Sequence, residues 1–315
     1  MTTLVTGGLG YLGSRLLREL AARPAVVDGP IRVLDNLQRP RHHVLWGLPD
    51  AGDYDDDYEF VRGDVRDEEV VSEAMTGVDA VVHLAAITNA ARSTEIPEET
   101  RTVNRDGALT VFEAAREAGV EEFVYASTCS VYGTTEGVVD ETADTAPESP
   151  YAEAKRAAER AILDRGEEAD PTVTALRFGT VHGWSAGMRF DTIPTEFAFA
   201  AATGQRVQVY EFEGLDERYR PLVHVGDAAR AMGFALADLD GGVYNVVGEN
   251  ATVAEIARTV ADVAPDASVE RVRVADGAAR SCRVDGGKLA GAGFEMESGL
   301  ADGIAEVVER FEGIQ

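Results

Sequence analysis

Two rhythms of hydrophobic positions alternate along the first half of the chain. Short, nearly continuous apolar runs at Thr2–Thr6, Ile31–Leu34, Tyr58–Val61, Ala80–Leu84 and Phe123–Ala126 have the composition of strands buried on both faces. Between them apolar residues recur every three or four positions. They do so first at Leu12, Leu16, Leu17 and Leu20, then through Glu68–Met75, Glu98–Ala118 and Tyr151–Leu163, the spacing of helices with one buried face. Strand alternating with helix predicts an α/β fold with a doubly wound parallel sheet. Beyond about Arg177 the pattern loosens, with predicted strands at Val207–Tyr210, Pro221–His224, Val243–Val247 and Val269–Val274 and helices at Asp227–Ala237, Ala254–Val263 and Leu300–Phe311. We therefore expect a main domain over residues 1–176 and a smaller α/β region over 177–315, some of whose segments return to the main sheet.

Composition narrows the functions open to this fold. With 45% hydrophobic residues, 315 residues suffice for one large core. Fifty-six acidic against 29 basic side chains give a formal charge of −27. That excludes a nucleic-acid binder working through a broad basic face, which needs Lys and Arg to displace counterions. The basic side is skewed too: lysine stands only at Lys155 and Lys288, leaving 29 − 2 = 27 arginines. An acid surplus poor in lysine reads as adaptation to high salt, where counterions screen carboxylates from one another. The two cysteines, Cys129 and Cys282, make no disulfide framework and predict a reduced, cytoplasmic setting. No basic and then apolar leader opens the chain, and no apolar run reaches the ~18 residues of a membrane span, so no membrane role is expected.

Chemistry first shows at Gly7-x-x-Gly10-x-x-Gly13, directly after a strand and at the start of a helix. There a tight turn, close backbone approach and free helix N–H groups suit a pyrophosphate. Asp35 ends the second strand, 22 residues after Gly13, and is placed to accept from the ribose hydroxyls of an adenosine, favouring NAD over NADP. Asp28 is a rival for that role. Asp64 and Val65, after the third strand, fall where an adenine edge would lie. Later, Tyr151 and Lys155 stand at i and i+4, on one helix face if Pro150 opens the helix. A phenol is a poor base at neutral pH, and a nearby ammonium favours its phenolate. Retention of a lysine here, in a chain that uses arginine almost everywhere else, argues for a compact ammonium that a planar guanidinium does not replace.

These segments, with Asp35-Asn36-Leu37, Gly63-Asp64-Val65, His83-Leu84-Ala85-Ala86 and Tyr151-x-x-x-Lys155 in order, resemble the extended short-chain dehydrogenase/reductases. More narrowly, the chain is similar to the NAD-dependent nucleotide-sugar epimerase/dehydratase family, closely through Gly183 and more loosely after it. The resemblance implies a Rossmann sheet, NAD as cofactor, a nucleotide-sugar substrate and a homodimer paired through the Glu98–Ala118 and Tyr151–Leu163 helices. It adds Tyr11, Leu12, Asn36, Leu84, Ala85 and Ala86 to the NAD contacts. It makes Thr128 the hydroxyl that shares a proton with Tyr151, with Ser127 as the alternative and Ser130 beside the sugar. Cys129 as a nucleophile has no paired His motif to support it.

The same segment speaks against one branch of the family. Sugar 4,6-dehydratases carry an Asp-Glu pair directly after the catalytic threonine, and here those positions are Cys129-Ser130, which leaves elimination without its proton carriers. For the diphosphate, the resemblance implies Arg220, with Arg280 or Arg283 as a second contact, and it sets Tyr210 against the nucleotide base. Thr180 stands where the family often has a sugar-contacting asparagine, and Pro194-Thr195-Glu196 replaces another asparagine-containing stretch. Cys282 falls at a position that gates the size of the sugar's C2 group. The reaction implied is epimerisation at C4 of a UDP-hexose. A related reductase or decarboxylase, or a non-catalytic NAD-binding sensor, stays open as an alternative.

Overall fold

The computed structural model describes residues 1–22, 29–39, 41, 43–46, 58–166, 171–212, 218–274 and 281–313. Seven strands form the central sheet: β1 (Thr3–Thr6), β2 (Ile31–Asp35), β3 (Tyr58–Arg62), β4 (Ala80–His83), β5 (Glu122–Thr128), β6 (Thr172–Phe178) and β7 (Gly242–Val246). All its pairings are parallel, and from edge to edge the order is β7-β6-β5-β4-β1-β2-β3. The chain thus winds outward twice from β1, and the direction reverses between β1 and β4. At such a reversal the connecting loops diverge and leave a crevice at the carboxyl ends of the strands.

Alternating side chains feed two cores. Val5 and Val33 face one side with Leu16, Leu17 and Leu20 of the Tyr11–Ala21 helix and with the Val225–Asp238 helix. Leu4 and Leu34 face the other with the Glu68–Met75, Ala108–Ala118 and Pro150–Gly166 helices. This explains why the strand sequences are apolar throughout rather than alternating.

The predicted helix Glu98–Ala118 is interrupted. Helical turns at Pro97–Arg101 and Ala108–Ala118 flank a wide π turn over Thr102–Gly107. The extra residue turns Asn104 inward, where its side chain accepts from the Ile87 N–H and donates to the Ile87 carbonyl, both at 2.8 Å.

After β6 the chain builds a smaller layer. Thr180–His182, Tyr219–His224 and Glu249–Thr252 form one three-stranded sheet, Val207–Phe212 pairs with Val269–Val274, and Val138–Val139, from the loop before the Pro150–Gly166 helix, pairs with Arg283–Val284. The predicted strand Val243–Val247 is β7, which crosses back to extend the central sheet beside β6. Among the described residues no helix is long and apolar enough to cross a membrane, and no group of three or more His, Cys, Asp or Glu side chains is placed to hold a metal ion.

Candidate active site

A cleft of about 590 Å³ runs along the strand ends, from the glycine turn to the smaller layer. At its first end the Tyr11–Ala21 helix starts at Gly10 with no side chain capping its N–H groups and no acidic residue in its first turn. The donors and positive end of the helix therefore face the cleft. Gly7 has φ +67°, and a Cβ on Gly13 would sit 2.5 Å from the Gly8 Cα. Only glycine allows this close stacking of turn on helix. Asp35 is pinned by the Leu9 N–H at 3.2 Å and the Leu37 N–H at 2.9 Å; burial raises its pKa, while those N–H groups and the Arg41 charge draw it back. Asp28 lies outside the described residues. Asp64 pairs with Arg66 and accepts from Asn36 at 3.1 Å, and its hydrogen bonds to Arg66 hold its carboxyl well below the ordinary range.

Asn36, Val65, Tyr11, Leu12, Leu84, Ala85 and Ala86 line the same stretch. The Tyr11 hydroxyl is itself committed, donating to the Gly183 carbonyl. These features fit a dinucleotide: a free helix N-terminus over a turn that admits no Cβ, and a fixed carboxylate at the end of β2.

Further along, β5 and the Pro150–Gly166 helix present the candidate reacting groups. Pro150 begins that helix behind Ser149, whose hydroxyl accepts from the Ala152 N–H at 3.3 Å. Tyr151 and Lys155 then face the cleft one turn apart. The Tyr151 hydroxyl sits near Thr128 at the end of β5, whose side chain acts to lower the phenol's pKa. Ser127, the alternative, also borders the cleft, but its hydroxyl is committed to Glu159, to which it donates. Lys155, 2% exposed, holds its ammonium 4.6 Å from the centre of the Tyr125 ring. Burial drives its pKa down to about 7, against the pull of Glu159.

One expectation is corrected here. Burial raises the Tyr151 pKa, and the groups that lower it are the Thr128 hydroxyl and Arg189. Lys155 is itself desolvated and points at an aromatic face. Cys129 is buried, its thiol donating to the Arg177 carbonyl at 3.1 Å, and burial pushes its pKa well up. That is a packing role and suits a nucleophile poorly.

The substrate end is lined by Thr128, Ser130, Thr180, Arg220 and Cys282. Arg283 instead stacks over the Tyr219 ring, 4.8 Å from its centre. Arg280 and the side chain of Tyr210 lie outside the described residues. The structure also brings in residues that sequence spacing did not mark. Arg39, Arg41 and Arg189 line the cleft. Arg41 donates to the Gly187 and Met188 carbonyls, and Arg189 spans Thr88 and Asp191. Arg39 and Arg41 follow Asp35-Asn36-Leu37 closely, a basic signal readable in hindsight. Arg189 has no such neighbour.

A doubly wound sheet with a glycine-rich first turn, and a tyrosine, lysine and threonine at its strand ends, define an enzyme of the extended short-chain dehydrogenase/reductase type. Within that class, a model of the NAD dependent epimerase/dehydratase family matches residues 3–247, and the chain belongs to this family, whose cofactor is NAD. The UDP-glucose 4-epimerase of Thermus thermophilus, solved with NAD, is similar at a TM-score of 0.83 and 32% identity over 99% of both chains. A dTDP-glucose 4,6-dehydratase of Streptomyces niveus is 32% identical over 254 residues, covering 79% of this chain and 73% of its own. The low-salt glycan biosynthesis protein Agl12 of Haloferax volcanii is 28% identical over 321 residues, 99% of each chain.

Proposed function

We propose that this protein epimerises a nucleotide sugar, at C4 of a UDP-hexose, by way of a transient 4-keto sugar. The observation that carries the reading is the Tyr151–Thr128 hydroxyl pair facing the cleft, with Cys129 and Ser130 in place of an acid and a base directly after it. NAD would be held along the glycine turn and by Asp35 and, when bound, would supply the hydride acceptor and a positive ring charge. The protein's own groups manage the proton. Tyr151, as phenolate, takes it from the 4-hydroxyl, and Thr128 bridges the two oxygens and lets the proton pass in either direction. Lys155 stands one helical turn from Tyr151 on the same helix and lines the cleft with it. Arg220 and Arg189, both lining the cleft, meet the diphosphate, which a chain of net charge −27 must hold with a local cluster of arginines. Dehydration, the activity named for the Streptomyces relative, needs an acid–base pair beside Thr128. Here those positions hold a thiol bound to a carbonyl and a serine.

A panel of UDP-, GDP- and dTDP-sugars, incubated in high salt and followed by sugar analysis and NADH absorbance, tests this. The expected result is interconversion of UDP-glucose and UDP-galactose with no net NADH. A 4-keto-6-deoxy product would reassign the enzyme as a dehydratase, net NADH change as a redox enzyme, and no turnover as a sensor. Tyr151→Phe should keep NAD bound and lose about 10²- to 10⁴-fold in turnover.

A further inference from the structure

Behind the reacting hydroxyls lies a buried polar chain that the proposed chemistry does not use. Glu159, 2% exposed, stands one turn beyond Lys155, so positions 151, 155 and 159 form one row on the helix. Its carboxylate accepts from the Ser127 hydroxyl. Arg177 of β6 closes on it through Nε, at 3.1 and 3.2 Å to the two oxygens, and through Nη2 at 2.6 Å. The Arg177 Nη1 donates to the Tyr132 hydroxyl at 2.8 Å, which donates to Asn245 Oδ1 at 2.8 Å, and Asn245 Nδ2 ends on the Asp285 carbonyl at 3.0 Å. One carboxylate thus joins the catalytic helix to β5 and β6, and through Arg177 to β7 and the segment after Arg283. Ser127 directly precedes Thr128, so this clamp fixes the strand end that carries the hydroxyl nearest to Tyr151 in the proposed reacting set.

Packing alone does not explain such a clamp. A buried Glu–Arg pair loses much of its attraction to desolvation, and apolar side chains of similar volume usually serve stability as well or better. An apolar row would, however, leave Lys155 buried without a counter-charge. The groups facing Lys155 are Tyr151 and Glu159 on its own helix, Tyr125 on β5 and His83 on β4. His83 is held neutral, its pKa lowered to about 3 by burial and then by the Lys155 charge. The Arg177 charge is matched by Glu159.

We propose that Glu159 is a positioning residue for this site: it fixes the Thr128 strand end against the catalytic helix and supplies the counter-charge that keeps the Lys155 ammonium protonated. This role rests on Tyr151, Thr128 and Lys155 being the reacting set, whichever sugar they serve.

The scarcity of lysine makes a direct test available. In NAD-loaded protein carrying ¹³Cε-lysine, only Lys155 and Lys288 give side-chain signals, and Lys288→Arg assigns them. Glu159→Gln keeps the shape and removes the charge, and Glu159→Asp restores the charge. A Glu159→Met/Arg177→Met pair removes both charges together, in case Arg177 left alone prevents folding. The Lys155 midpoint should fall by about one pH unit or more in the two charge-free variants and return towards the parent value in Glu159→Asp. The alkaline limb of kcat should move down with it, with KM little changed. An unchanged Lys155 midpoint in a folded charge-free variant would overturn the role, as would lost activity without a moved pH profile. The titration needs no sugar, so it reads the Glu159 charge on Lys155 whichever product the sugar panel yields.

Discussion

In the proposed reaction Tyr151 is the base, burial keeps its phenol protonated, and Thr128 is the neighbour best placed to offset that. Burial raises the phenol, and the Thr128 hydrogen bond lowers it. Replacing Thr128 by valine removes only the lowering influence, so the folded-state pKa rises. Because the phenolate is the active form, the acid limb of the pH–rate profile should move to higher pH, while Thr128→Ser should hold it near the parent position. A Thr128→Val profile superimposable on the parent would remove Thr128 from the proton path. Cys282, 9% exposed and lining the substrate end, carries a specificity prediction. Cys282→Tyr fills that wall and should reduce turnover of UDP-N-acetylglucosamine at least tenfold more than that of UDP-glucose, measured as a ratio of kcat/KM. Residues of this kind were legible to different degrees. The glycines, Asp35, Tyr151 and Lys155 are fixed by spacing within one local unit, so the sequence displays them. Arg189 reaches the cleft only because a long loop folds back, and the partners of Glu159 stand on other strands. Tertiary contact, which no periodicity encodes, selected them.

The strand–turn–helix elements were equally readable, because strands buried on both faces leave a continuous apolar run that no other element explains. What the pattern missed were irregularities with a polar cause. The π turn at Thr102–Gly107 interrupts a well-formed helical period so that Asn104 can clamp Ile87 in the loop after β4. The segment from Gly183 to Arg189 is another such case, a strap over the glycine turn. Ser185 is hydrogen-bonded to Ser14, Gly187 N–H donates to Ser14 at 2.8 Å, and Arg41 holds the carbonyls of Gly187 and Met188. A Cβ on Gly187 would sit 2.2 Å from the Gly10 carbonyl oxygen, and backbone cannot give way as a side-chain tip does. Gly187→Ala should therefore lift the strap, cost about 1–3 kcal/mol of stability and release NAD more readily. Thermal unfolding and cofactor content after gel filtration would read both effects. Buried histidines give the fold an acid limit. Burial, with the neighbouring Lys155 and His224 charges respectively, lowers His83 and His182 to about 3 from an ordinary 6.5. Below pH 6.5 the unfolded chain takes up protons that the folded chain refuses, so stability present above that value is lost as the pH falls towards 3. Replacing His182 by asparagine should flatten part of this loss in a melting-temperature series.

Charge acts on the whole molecule. Even if each of the 29 basic side chains were paired with one acid, 56 − 29 = 27 carboxylates would lack a partner. Exposed pairs such as Arg101–Glu98 lie in water, hold two long side chains in one arrangement and weaken in salt, so pairing does not balance the excess. Repulsion among the surplus carboxylates is the larger quantity, and it acts over the Debye length, about 10 Å in 0.1 M salt and about 3 Å at 1 M. Adding salt should thus remove more repulsion than attraction. The cleft, where Arg39, Arg41, Arg189 and Arg220 gather, is a local exception to this charge, as the proposed dianionic substrate requires. The melting temperature should climb by several degrees between dilute buffer and molar KCl, and most of the rise should fall below about 1 M, where screening is nearly complete. Equal stability at both salt concentrations would show that the excess charge is spread too thinly over the surface to matter, and the acidic composition would then carry no adaptation to salt.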